Sequence, residues 1–181
     1  MRVALAEDGT LFREGLLMLL KAAGHEIVAC ASGGDELVAL LRTRPADVAI
    51  LDIRMPPEPD GGLVTAERLR AAHPDMGLLF LSHYAESHYL MRILEIGTDA
   101  IGYRLKEKVG SVEVLTDTLN RIAAGEIVRI DEGLLEMVLI GAAAETSRRW
   151  LAGQPGVDLD EAVRVLPKLV ARSLLTTAAT S

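Results

Sequence analysis

A chain of 181 residues can hold one domain of about 120 residues with a real core and an appendage, but not two full-sized domains. Half of it is apolar but only 3% is aromatic, so the core must come from Leu, Val, Ile, Ala and Met. The net charge of -7 comes without any dense basic patch, which argues against a surface built mainly to hold nucleic acid.

Residues 2–6 form a short strand-like run that meets Glu7 and Asp8. Residues 11–23 follow with helical period, Phe12, Leu16, Leu19 and Leu20 falling on one side, and Gly24 stands where a left-handed cap would end the helix. The next strand candidate, 26–31, contains Cys30, a lone cysteine that cannot form an intrachain disulfide and reads as a small core residue. A helix is expected over 34–44 and a strand over 48–51, with Asp52 at its end. The Pro- and Gly-rich stretch 56–62 then leads to a helix over 63–72. A strand over 77–81 delivers Ser82, a helix over 87–96 ends before Gly97, a strand over 100–103 leads to Lys106, and a helix over 111–124 ends before Gly125. Five alternations of strand and helix predict an α/β fold, a doubly wound parallel sheet with helices on both faces and right-handed crossovers.

The pattern changes after residue 125. Residues 1–125 read as one domain, 126–144 as a linker with a short helix capped by Asp131, and 145–181 as a helical extension broken near Pro155 and Pro167. No stretch approaches the ~20 apolar residues of a membrane span. The start also lacks the basic and apolar regions of a signal peptide, so cytoplasmic residence without a membrane partner is expected. His25, His73, His83 and His88 are scattered and form no closed ligand set; His73, before Pro74, suits a helix end.

In a parallel sheet the carboxyl ends of the strands share one edge, so Glu7, Asp8, Asp52, Ser82 and Lys106 can converge there. Clustered carboxylates repel one another and need a cation, and all-oxygen ligands suit Mg2+. A carboxylate can accept a phosphoryl group as an acyl phosphate, a lysine supplies a point positive charge, and a serine hydroxyl supplies a hydrogen bond.

Four segments carry a family resemblance: Glu7-Asp8, Asp47-Val-Ala-Ile-Leu-Asp52-Ile-Arg-Met-Pro56, Phe80-Leu-Ser82, and Gly102-Tyr-Arg-Leu-Lys106. In this order and spacing they resemble the receiver domain of bacterial two-component response regulators, most closely the NarL/FixJ type, over about residues 2–125. The resemblance implies a flavodoxin-like (βα)5 fold with strand order 2-1-3-4-5 and Asp52 as phosphoacceptor. It also implies Mg2+ held by Glu7, Asp8, Asp52 and the backbone carbonyl of Arg54. Ser82 and Lys106 would contact the phosphoryl group, and Tyr103 would occupy the aromatic switch position, its ring turning inward as the serine hydroxyl moves toward phosphate. The implied partners are a sensor histidine kinase and, on activation, a second copy of the chain. That pairing would use the fourth helix, fifth strand and fifth helix, or the first and fifth helices. The implied chemistry is the receiver's own phosphotransfer and slow dephosphorylation, not that of a metabolic enzyme.

Residues 11–15 (Leu-Phe-Arg-Glu-Gly) also resemble the opening helix of this subfamily, a structural likeness rather than a chemical one. Three features depart from the pattern: Glu107 where proline is common, Arg104 where an apolar residue is common and solvent or a partner is the expected environment, and the stiff loop 56–62. The alternative is the receiver part of a DNA-binding transcriptional regulator whose helix-turn-helix is degenerate, truncated or outside this chain. Residues 145–181 do not support DNA binding, because no helix-turn-helix pair with a basic recognition helix is recognisable. Residues 156–162 faintly resemble part of a three-helical RNA-binding module; short helices covering the domain or pairing subunits, with Trp150 as an anchor, fit better.

Overall fold

The computed structural model describes residues 1–125 other than Pro57, Ala85 and Thr98, and the backbone alone at Ser87, Met91 and Leu94. The expected linker 126–144 and extension 145–181 lie outside the described residues. The elements are β1 (Arg2–Ala6), α1 (Thr10–Ala22), β2 (Glu26–Ala31), α2 (Gly34–Leu41), β3 (Val48–Asp52), α3 (Gly61–Ala72), β4 (Gly77–Ser82), α4 (Ser87–Ile96), β5 (Ile101–Leu105), a single 3-10 turn (Lys106–Lys108) and α5 (Val112–Ala123).

The strands form one parallel sheet in the order β2-β1-β3-β4-β5, the doubly wound arrangement expected from the sequence. β3 and β4 are buried along their whole length, which is why they read as continuous apolar runs rather than alternating ones. Successive residues still divide between two faces. Val3, Leu5, Val48, Ile50, Leu79 and Leu81 join Leu16 and Leu20 of α1 and Leu115, Leu119 and Ile122 of α5 in one core cluster. The helices α2, α3 and α4 pack in sequence against one another, α2 on α3 and α3 on α4.

Capping explains the end of α1 and both ends of α5. Ser111 accepts a hydrogen bond from the Val114 N–H at 3.2 Å and starts α5. At the end of α1, Gly24 has φ +74. Its N–H donates to Lys21 O and that of His25 to Leu20 O, both at 3.0 Å, the paired bonds of a Schellman cap. Gly125 has φ +83 and likewise donates to Ile122 O. Gly97 departs from expectation: at φ 160 and ψ 171 it is extended, and the left-handed residue is Ala100 at φ 54.

The remaining differences are at element ends. α2 stops at Leu41 instead of continuing to residue 44, because Arg42 onward leads to Pro45, which disfavours a helical residue before it. β3, β4 and β5 run past the expected ends to take in Asp52, Ser82 and Arg104, so that polar side chains sit on the ladder itself, with β5 ending at Leu105.

A candidate phosphoacceptor site at the carboxyl edge of the sheet

Strand register brings the chemistry together. Ala6 pairs with Leu51, which sets Glu7 beside Asp52; Asp52 pairs with Leu81, and Ser82 with Leu105, which sets Lys106 one residue beyond. Residues as far apart as Glu7 and Lys106 meet through a hydrogen bond of 2.9 Å from Nζ to Oε1. The same ammonium lies 2.7 Å from Glu7 Oε2 and 3.0 Å from Asp52 Oδ2. Glu7, Asp52 and Lys106 are only 1%, 4% and 5% exposed, whereas Asp8 is exposed at the mouth.

Two carboxylates buried with one ammonium leave an excess of negative charge. Burial, and then the Glu7 carboxylate, push the Asp52 carboxyl up to about 6, against the opposing pull of Lys106 and of the Arg54 N–H. That N–H lies 3.4 Å from Asp52 Oδ1. Burying such a cluster costs free energy that a further cation would offset. The donor set suits a hard divalent ion: oxygen atoms of Glu7, Asp8 and Asp52 all lie within 4.8 Å of one another. Glu7 Oε2, though close to Lys106, has no partner in hydrogen-bond geometry, so a buried carboxylate oxygen is left with lone pairs to spare. The residues present therefore fit a magnesium-sized ion.

The backbone around Asp52 is closely fitted. The N–H of Gly62 donates to Ile53 O at 3.0 Å, and a Cβ at residue 62 would lie 2.0 Å from Asp52 O, a contact with main chain that cannot swing away. The glycine pair opening α3 thus lets the start of that helix lie tightly against the end of β3.

Ser82 and Tyr103 lie behind this cluster, 2% and 3% exposed. Both hydroxyls donate to one acceptor, the main-chain carbonyl of Tyr84, at 2.9 Å from Ser82 Oγ and 2.7 Å from Tyr103 Oη. Ser82 Oγ also accepts from the Tyr84 N–H at 3.2 Å. The Tyr103 ring is turned inward, and burial raises its phenol.

Sequence reasoning overlooked the groups that surround the site. The Arg54 side chain turns away from Asp52: its Nε donates to Tyr89 Oη at 3.1 Å, its Nη2 pairs with Glu86, and its guanidinium lies over the rings of Tyr84 and Tyr89. Arg92 of α4 pairs with Asp60 of the loop and with Glu67 of α3, the latter at 2.7 Å. The Phe12 ring centroid lies 4.9 Å from Lys106 Nζ. The crowding of His83, Tyr84, His88 and Tyr89 in a chain so poor in aromatics was the available signal. Arg104, expected to face solvent or a partner, instead donates from Nε to Thr118 Oγ1 at 2.6 Å and ties β5 to α5.

A parallel sheet of this order, with a buried acid–lysine cluster at its carboxyl edge, is the architecture of a CheY- or NarL-type receiver. The response regulator receiver domain family matches residues 3–107, more than half of the chain, and the chain belongs to that family. It is 33% identical over 107 residues to the oxygen regulatory protein NreC of Staphylococcus haemolyticus, covering 59% of this chain and 48% of that protein. It is 30% identical over 128 residues to the uncharacterized transcriptional regulatory protein YxjL of Bacillus subtilis, covering 70% of this chain and 56% of that one. The chain thus spans about half the length of the curated relatives it matches. Among solved structures, a DNA-binding response regulator of the LuxR family from Staphylococcus aureus superposes with a TM-score of 0.59 at 27% identity, covering 67% of this chain and 98% of that one. The acid–lysine cluster is consistent with the Asp phosphorylation and weak self-dephosphorylation of receivers. Among the described residues no helix is long and apolar enough to cross a membrane.

Proposed function

We propose that the chain is a working phosphoacceptor switch in which Asp52 takes a phosphoryl group from a sensor histidine kinase and the change at the site alters contacts with a second copy of the chain. The observation that carries this reading is the triad of Asp52, Glu7 and Lys106, buried together with the lysine 3.0 Å from the acceptor carboxylate. A carboxylate oxygen of Asp52 attacks the donor phosphorus, the bond from phosphorus to the donor breaks, and an acyl phosphate remains on Asp52. Glu7, Asp8, Asp52 and the carbonyl of Arg54 would hold Mg2+, which when bound neutralises charge on the transferring oxygens.

Lys106 supplies a fixed positive charge to the incoming group, and the Ser82 hydroxyl supplies a hydrogen bond. When Ser82 turns to the phosphoryl group it gives up the Tyr84 carbonyl, which is left to Tyr103 alone. The inward ring is then held without competition, and the face formed by α4, β5 and α5 is set. The molar mass in solution with Mg2+ and beryllofluoride tests the output: a shift from monomer to dimer, lost in Asp52→Ala, is expected. Unchanged Mg2+-dependent labelling of Asp52→Ala by a small phosphodonor would remove the acceptor assignment.

A second reading is favoured by the relatives, of which one is named a transcriptional regulatory protein and one a DNA-binding response regulator. Here the chain is the receiver part of a regulator whose output is DNA binding. Retarded migration of DNA by the phosphorylated chain would support it.

A further inference from the structure

The ammonium of Lys106 is buried, and its polar partners all lie toward Glu7 and Asp52. Phe12, in the first turn of α1, supplies a different kind of contact: its ring centroid is 4.9 Å from Nζ, within range for attraction of a cation by the negative face of an aromatic ring. The ring is itself fixed, packed half-buried against the core cluster of α1 and α5. The next residue anchors the same turn to the acidic loop. Arg13 Nη1 donates to Glu7 O at 2.6 Å and to Asp8 O at 3.3 Å, and its N–H donates to Gly9 O at 2.9 Å. The opening turn of α1 is therefore registered on the residues that carry the site's carboxylates.

We propose that Phe12 is a positioning residue of the phosphotransfer site, its ring holding the Lys106 ammonium against Asp52 and keeping water from it. A lysine has four rotatable carbons, and an ammonium gains much from hydration, so a buried one is drawn toward any water that can reach it. The ring blocks that path with a surface attractive to the cation and offers no acceptor that would compete with the phosphoryl oxygens. Leucine or methionine fills a similar volume but presents no such face, whereas tyrosine retains it. The role of Phe12 in transfer rests on the phosphoacceptor reading given above; its hold on the ammonium does not.

The test compares wild type with Phe12→Leu, Phe12→Met and Phe12→Tyr in the full chain. By NMR, the Lys106 ammonium protons of the leucine and methionine variants should exchange with water about tenfold faster than in wild type, and those of the tyrosine variant within about twofold. At saturating Mg2+, labelling by acetyl phosphate should slow by about the same factor in leucine and methionine and recover in tyrosine, with the Mg2+ dissociation constant unchanged in all. Ammonium exchange equal in wild type and the leucine and methionine variants would overturn the proposal. So would tyrosine failing as badly as leucine, which would mean that packing alone matters. A wild type that protects its ammonium yet takes no label would instead sink the phosphoacceptor assignment, and the exchange comparison would still decide the part played by Phe12.

Discussion

Helices α5 and α4 stand on either side of the last strand, yet different forces attach them. α5 buries Leu115, Thr118, Leu119 and Ile122 completely and packs on α1, β3, β4 and β5. α4 buries Tyr89, Leu90 and Ile93, but its main neighbour among the elements is α3. Much of its hold on the phosphoacceptor side is ionic: Arg54 of the loop reaches Glu86, and Arg92 of α4 reaches back to Asp60 and Glu67. Apolar burial is large and indifferent to salt, whereas partly exposed ion pairs are small, screened and readily exchanged. α4, beside the site, is thus held in part by contacts that can be remade at little cost, whereas α5 is set in the core.

Truncation in the core should produce the largest effect. Leu119→Ala should lower unfolding free energy by about 2–5 kcal/mol. Urea titration checks this, and a loss under about 1 kcal/mol would show that α5 is not the fixed partner in the comparison.

Neutralising the charged edge should come next and act in the opposite direction. The folded Asp52 carboxyl, at about 6, lies above the usual carboxylate value of 3.8. Between those two values the folded state holds a proton that the unfolded state has lost, so its contribution to stability falls as pH rises through this window and stays low above it. Without divalent ions, Asp52→Asn should therefore stabilise the protein at neutral pH by an amount on the order of 2 kcal/mol. The gain should shrink toward pH 4, where both forms are neutral at this position. A gain that persisted at low pH would point to packing instead of charge.

The ionic ties should give the smallest signal. Replacing Glu86 with Gln and Asp60 with Asn together should speed amide hydrogen exchange across α4 by about two- to tenfold at low salt, with α5 unchanged and the difference shrinking in high salt. Asp35→Asn, which removes the 2.5 Å pair between Arg68 and Asp35 away from α4, is the control. Exchange in α4 as slow as in wild type would mean that its apolar packing, which includes Tyr89, Leu90 and Ile93, holds it without these ion pairs.

Every strand and α-helix of the described residues was legible from the alternation of apolar runs and amphipathic segments, though the 3-10 turn was not. Equally legible was the meeting of Glu7, Asp8, Asp52, Ser82 and Lys106 at one sheet edge, because each stands at or just past the end of a strand. The strand ends were read one or two residues short for that same reason: a polar residue signals a loop even where it continues a ladder, as Asp52 and Ser82 do. Gly97 misled because glycine allows a left-handed turn without requiring one. The reach of Arg54, Arg92 and Arg104 could not be read at all, since a long cation in sequence has no stated direction and its partner is set only by tertiary packing. Phe12 was assigned to the helix face correctly, but its nearness to Lys106 joins positions far apart in the chain.

Two hydroxyls share the carbonyl of Tyr84, and that acceptor belongs to the main chain. No substitution at residue 84 can delete it. The ring of Tyr84, 62% exposed, can therefore be exchanged for another side chain at the cost of its contact with Arg54, while the shared acceptor beneath it stays with the path of the backbone.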